Sequence, residues 1–365
     1  MAFINIMVYN IAYRLLKHVY NKEVIYRMKI IKTEDAIGKP LLHDITEVKD
    51  GFKGARFKRG HIITKDDIEV LLDLGKKHTY ILDESIREIH EEDAARRLSE
   101  IAKTDNTHFT PISEGKTVLM ADINGFFVIN RPLLKSINSI GDITIATIPS
   151  HYPATKGNKL ANIRIVPLMC DEKEIIKAEE YAKGQWLFKL LPYQFKKVGI
   201  IITGSEIYSG RIKDKFEPVI RKKLQNYPHE VIGVKICDDD EEMLCKAADE
   251  LTQKGANLLI FTGGMSVDAD DVTPRAIKNM GVNLVSHGVP SAPGNMTLLA
   301  YKNGATYVGV PTAAIALPTT VLDTLLPSIF SNYDTTKEDL INLGEGGLCM
   351  SCNVCHFPNC TFGKW

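Results

Sequence analysis

The chain has no long apolar run. Its most apolar stretch, Phe3 to Tyr20, is broken by Asn5, Asn10, Arg14, Lys17 and His18. A bilayer span takes about 20 predominantly apolar residues. The stretch also lacks the small-residue cleavage site of a secretory signal. The expectation is an amphipathic extension over 1–27, a more ordinary start at Met28, and a cytoplasmic protein. Charge of one sign is lacking too, because 45 Lys and Arg balance 45 Asp and Glu. That balance argues against a dedicated nucleic-acid binder, whose affinity rests on Lys and Arg neutralising phosphates. Low-complexity segments and long-period repeats are absent. No His-Glu-x-x-His motif and no Ser/His/Asp order offers local support for a hydrolase.

Disorder is excluded in turn. Of the 365 residues, 44% are hydrophobic and 25% charged, which is globular composition. At about 150 residues per domain the length allows two to three domains. Cysteine is scarce until the end. Cys170, Cys237 and Cys245 are scattered, whereas Cys349, Cys352, Cys355 and Cys360 fall within twelve residues. Without a secretory signal a disulfide framework is not expected.

Along the chain, residues 28–105 read as a mixed α/β region. The basic turn GFKGARFKRGH carries Lys53, Arg56, Lys58, Arg59 and His61. A helix opened by Thr64 with Asp67 follows, then a strand over 78–82 and a charged helix over about 84–103. Residues 106–170 hold short β-rich runs split by Gly, Pro and Asn, as in a small β module. Residues 171–196 read as a connecting helix and linker.

From 197 to 332 strands and helices alternate. VGIIIT (198–203), VIGVKI (231–236) and LLIFT (258–262) are apolar runs of strands buried on both faces. Helices are expected near 214–226, from Asp238 to Lys254, and from Pro318 to Phe330. VNLVSH and ATYVGV supply further strands. The alternation predicts an open, mostly parallel α/β sheet. Residues 333–348 read as a linker to a cysteine-rich tail, 349–365.

Ligands of such sheets bind beyond the carboxyl ends of the strands. The loop after the first strand contains Thr203, Gly204, Ser205, Glu206 and Asp214. The loop after the third contains Thr262, Gly263, Gly264, Ser266, Asp268, Asp270 and Asp271. A third loop, 289–296, carries Pro293 and Gly294. Glycines and hydroxyls beside helix starts attract an oxyanion. Carboxylates in the same place repel it unless a hard cation sits between, and Mg²⁺ is the natural choice. The residues therefore point to a phosphorylated ligand held with Mg²⁺.

These loops carry a resemblance. TGSEI with Asp214, TGGMSVDADDVTP (262–274) and APG (292–294) resemble the molybdopterin-binding domain shared by molybdopterin molybdenumtransferases and adenylyltransferases. EDAIGKPLLHDI (34–45) and the segment 52–82 resemble the N-terminal elements of the molybdenumtransferase branch. The resemblance implies molybdenum cofactor biosynthesis: a homodimer that binds adenylylated molybdopterin and inserts molybdate with Mg²⁺-dependent release of AMP. It implies that Gly204, Ser205 and Glu206 lie by the phosphate or adenylate. It implies that Gly263, Gly264 and Ser266 cradle the pterin, and that Asp214, Asp268, Asp270 and Asp271 hold Mg²⁺ or polarise the phosphoanhydride. The third loop departs from the family's Pro-Gly-Lys-Pro, reading Pro293-Gly294-Asn295-Met296, and Val310-Pro311-Thr312 replaces a Leu-Pro-Gly run. Two alternatives follow: a non-catalytic molybdopterin carrier or sensor, and a nucleotide pyrophosphatase like the competence-damage branch.

The tail spacing, C-x2-C-x2-C-x4-C, suits metal ligands. Four thiolates so close can wrap one Zn²⁺ or one iron–sulfur cluster, with His356 as an alternative ligand.

Overall fold

The computed structural model describes residues 29–49, 52–81, 88–266 and 271–364. The extension 1–27, Asp268 and Asp270 lie outside them. Among the described residues no helix is long and apolar enough to cross a membrane.

Three cores follow one another along the chain. The first is small. Lys29–Lys32 pairs antiparallel with His78–Ile81, and Ile45–Lys49 with Phe52–Phe57. Ala36, Leu41, Ile45, Phe57, Ile63 and Leu71 are buried between these pairs and the helix Asp67–Asp73. Asp67 accepts from both the amide and the hydroxyl of Thr64 and holds the turn that opens the helix. Of the basic turn, Arg59 is tied across to Glu92 at 3.0 Å and Asp93 at 3.3 Å.

The second core runs from Ile89 to Leu190. A four-stranded antiparallel sheet orders Thr107–Phe109, Lys116–Ala121, Lys159–Ile165 and Ile143–Thr147. A three-stranded sheet centres on Gly125–Ile129, every residue of it buried. Three helices cover these sheets: Glu91–Ala102, Arg131–Asn138 and Glu172–Ala182. Asn130 and Asp171 cap the last two. The helix that charge alone marks as a connector buries Ile175 and Ala178 here. Arg97 bridges from the first helix to Glu172 and Glu179, each at 2.7 Å. The charged segment expected as one helix from 84 instead begins, among its described residues, with the strand Glu88–His90.

The third core is the α/β domain. Its six strands lie in the order His229–Cys237, Lys196–Thr203, Leu258–Thr262, Ala305–Val310, Leu298–Lys302, Asn283–His287. The first four are mutually parallel and only Leu298–Lys302 opposes them. That is the open, mostly parallel sheet expected from the alternating pattern. One face packs on the helices Phe216–Leu224 and Val321–Phe330, the other on Glu241–Gln253 and Thr273–Asn279. Asp240 caps Glu241–Gln253 by accepting from Met243 N at 2.7 Å. The strand Leu298–Lys302 was not expected, although Asn303-Gly304 marks the hairpin turn that pairs it with Ala305–Val310. The stretch 333–348 holds a helix, Lys337–Asn342, with a capping box between Thr336 and Asp339 and Leu340 buried. Its apolar face is only Leu340 and Leu343, too short for a periodic signal.

Candidate functional site

Three loops converge at the carboxyl ends of adjacent parallel strands. Gly263 takes φ +84°, and a Cβ there would lie 2.0 Å from the carbonyl oxygen of Thr203. Only glycine allows so close an approach of two strand ends. Gly264 takes φ +53°; its Cβ would meet Thr273 Oγ1 at 2.9 Å and lie 3.7 Å from Asp239 Oδ1. Thr273 in turn donates to Gly263 O at 3.0 Å, so its hydroxyl ties the glycine turn to the start of the next helix.

Beneath this turn lie two hydroxyls. Thr203 is 2% exposed and Thr262 0%. Neither Oγ1 has a hydrogen-bond partner among the described residues. A buried hydroxyl without a partner costs about 1–3 kcal/mol, so the pair is arranged at the expense of stability. Such groups suit a bound ligand, whose polar atoms would satisfy them.

Ser205 faces carboxylates. Its amide donates to Asp239 Oδ2 at 2.9 Å, and its hydroxyl contacts both Asp238 and Asp239. The Ser205 hydrogen bond holds the Asp238 carboxyl below the usual carboxylate range. Asp238 and Asp239 were missed in the sequence as site residues. The Asp238-Asp239-Asp240 run reads as a helix start, which only Asp240 serves. The signal was there, since the run begins at the carboxyl end of a parallel strand.

The remaining expected residues divide. Glu206 and Ser266 are exposed on the same rim. Asp214 turns both oxygens onto the next helix, accepting from Phe216 N at 2.7 Å and Glu217 N at 3.0 Å. That cap leaves its outer lone pairs for a cation. Asp271 is half-buried before Thr273. Pro293 and Gly294 stand at the same edge of the sheet, after the strand Asn283–His287. Gly294 packs on Thr320 and Val321, and Val321 N donates to Pro293 O at 3.0 Å.

Pro293 also lines a second cavity of about 470 Å³ with Cys349, Cys352, Cys355, Cys360 and His356. The tail is seated on the third loop. Ala292 N donates to Gly347 O and Cys349 N donates to Ala292 O, both at 2.8 Å, and Ser291 Oγ donates to Gly347 O at 2.9 Å. Phe362, 2% exposed, anchors the far end. Among the described residues no three His, Cys, Asp or Glu side chains converge tightly enough to hold one metal ion.

Comparison with known proteins bears on the third core. A family model described as a probable molybdopterin binding domain matches residues 199–329. A domain of unknown function (DUF8806) matches residues 30–83. The molybdopterin molybdenumtransferase of Synechococcus elongatus is 30% identical over 111 residues, 28% of this chain and 28% of that protein. A CinA-like protein of Mycobacterium tuberculosis is 30% identical over 81 residues, 22% of this chain and 19% of that protein. The matched segments thus span less than a third of either relative. A tungsten cofactor synthesizing protein MoaB from Pyrococcus furiosus is 21% identical, with 40% of this chain and 98% of that one covered and a TM-score of 0.34. Residues 199–329, with the glycine turn and the strand ends described above, belong to the molybdopterin-binding domain family of molybdenum cofactor biosynthesis, in a divergent form.

Proposed function

We propose that the protein is a molybdenumtransferase-like enzyme of molybdenum cofactor assembly, acting in the cytoplasm as a homodimer. Adenylylated molybdopterin binds on the rim formed by Thr203–Glu206 and Thr262–Ser266, and molybdate displaces AMP. The observation that carries this reading is the pair of unpartnered hydroxyls, Thr203 and Thr262, beneath the glycine turn. The main-chain turn at Gly263 and Gly264 lets a flat ring system approach the backbone. The exposed Ser205 and Glu206 meet the phosphate end. Bound Mg²⁺ would neutralise charge developing on the phosphoanhydride. Its ligands would come from Asp214, Asp239 and Asp271, with Asp268 and Asp270 on the same loop. Asp238 and Asp239 keep Ser205 oriented. The tail thiols are read as ligands of an iron–sulfur cluster or Zn²⁺.

A second reading, a carrier or sensor without turnover, is favoured by the third loop. It lacks the family's lysine and its backbone is engaged with the cysteine tail. The deciding experiment is AMP release from adenylylated molybdopterin by anaerobically purified protein, with Mg²⁺, with and without molybdate. Molybdate-dependent release supports the transferase. Tight binding without release supports the carrier. Cleavage of ADP-ribose with no need for molybdate would move the protein to the pyrophosphatase reading, in line with its match to CinA-like proteins.

A further inference from the structure

The four tail cysteines line one cavity. A single Zn²⁺ draws four sulfurs to about 2.3 Å from one centre, and a shell of that size encloses no cavity. Here Cys349, Cys352, Cys355 and Cys360 line about 470 Å³. The space is of small-molecule size. Its wall is mostly apolar, with Leu348, Phe357 and Phe362 from the tail and Pro293, Leu317 and Pro318 from the α/β domain. One polar group enters it from the domain. Thr319, 6% exposed, sets Oγ1 3.0 Å from Cys355 Sγ. A hydroxyl aimed at a ligand sulfur in an apolar shell is a means of tuning a metal–thiolate centre.

The pocket is also attached to a ligand loop. Residues 290–294 follow the strand Asn283–His287, and residues 317–319 follow the strand Ala305–Val310, so both walls stand at the carboxyl edge of the sheet. Cys349 is itself part of the joint, since its amide donates to Ala292 O while Ala292 N donates to Gly347 O. Whatever holds the Cys349 sulfur also holds the third loop.

We propose that the tail pocket seats a polynuclear iron–sulfur cluster on Cys349, Cys352, Cys355 and Cys360, and that loading it locks residues 290–294 of the third loop. The proposal rests on the reading of the tail as a metal centre and narrows it to one occupant and one consequence. Thr319 is a positioning residue that orients Cys355.

The test uses the full chain. It is reconstituted anaerobically with ferrous iron and sulfide, and in parallel with Zn²⁺. Metal and sulfide are counted, visible absorbance is recorded, and amide exchange is followed over 288–297. The expected result is a brown protein with iron and sulfide in equal number. It should lose its colour in Cys352→Ser and Cys355→Ser and keep it in Ser351→Ala. Exchange at Ala292 and Cys349 should slow at least tenfold on loading. Thr319→Val should keep the colour and shift the reduction potential, which a purely structural threonine would not do. Circular dichroism of each variant separates loss of the centre from loss of the fold. One zinc per chain with no colour after iron and sulfide would overturn the cluster and leave the metal centre. No metal of either kind would overturn the metal centre itself. A cluster that leaves exchange over 288–297 unchanged would overturn the lock.

Discussion

The Cβ that Gly263 lacks would stand 2.0 Å from the carbonyl oxygen of Thr203. Two strand ends are brought together there with only a hydrogen atom between them.

Gly263→Ala meets both that contact and the strain of φ +84°. The substitution should destabilise the α/β domain by about 2 kcal/mol or more and weaken molybdopterin binding at least tenfold. Calorimetry and a binding titration read the two effects. Unchanged affinity would remove the glycine turn from the site.

Thr203→Val and Thr262→Val should move stability and affinity in opposite directions. Each removes a buried hydroxyl that lacks a partner, so the ligand-free protein should gain about 1 kcal/mol. If those hydroxyls serve the ligand, its affinity should fall by tenfold or more. Thermal unfolding with and without ligand checks both signs. A gain in stability with no loss of affinity would return the two threonines to the core.

Burial pushes the His151 imidazole down to about 4, with Arg131 reinforcing this and Asp339, at 3.7 Å, opposing it. The ring packs on Phe126 and Tyr333, where the second core meets the last helices. It is neutral in the folded protein, while the unfolded chain takes up the proton first as pH falls below about 6.5. Stability from this contact is therefore complete above that pH and is lost as pH falls through about 4. Urea midpoints between pH 7.5 and 4.5 should decline, and His151→Phe should flatten that decline. A His151→Phe profile parallel to the wild type's would refute the assignment.

Thiol chemistry should divide the cysteines. Burial pushes Cys170 up to about 12 and Cys237 to about 11, so neither should react with a thiol reagent at pH 7.5 until the chain unfolds. Cys352 and Cys355 are exposed and should react in the folded, metal-free protein, and be protected once the cluster is loaded. Mass mapping of the labelled peptides reads the order.

Gly347→Ala should unseat the tail. Its Cβ would fall 2.0 Å from Leu343 O and 2.8 Å from Pro290 O. Proteolysis after residue 346 should quicken several-fold, while the sheet's own melting is little changed. An unaltered cleavage rate would show that the close packing at Gly347 does not seat the tail.

The α/β sheet was legible in the sequence because its strands are buried on both faces. VGIIIT and LLIFT admit no polar residue until their threonine ends, and the glycines that follow mark where the chain must turn sharply. The domain family was legible because the turn chemistry is local, and the resemblance rests on it. The four cysteines announced themselves by spacing alone.

Tertiary packing decided the rest. That Thr203 and Thr262 have no partner among the described residues, and that Asp239 reaches Ser205 across 34 positions of chain, depends on strand order, which no local pattern encodes. Asp214 also caps the next helix with both oxygens, a role its loop sequence did not announce. Gly294 is expected in the third ligand loop, and only the fold shows that it packs on Val321 and that its neighbours bond to the cysteine tail. Composition and periodicity act between residues a few positions apart and so determine elements and turns. A site is made where distant strand ends are forced together by a shared core, and only the folded chain chooses which side chains arrive there.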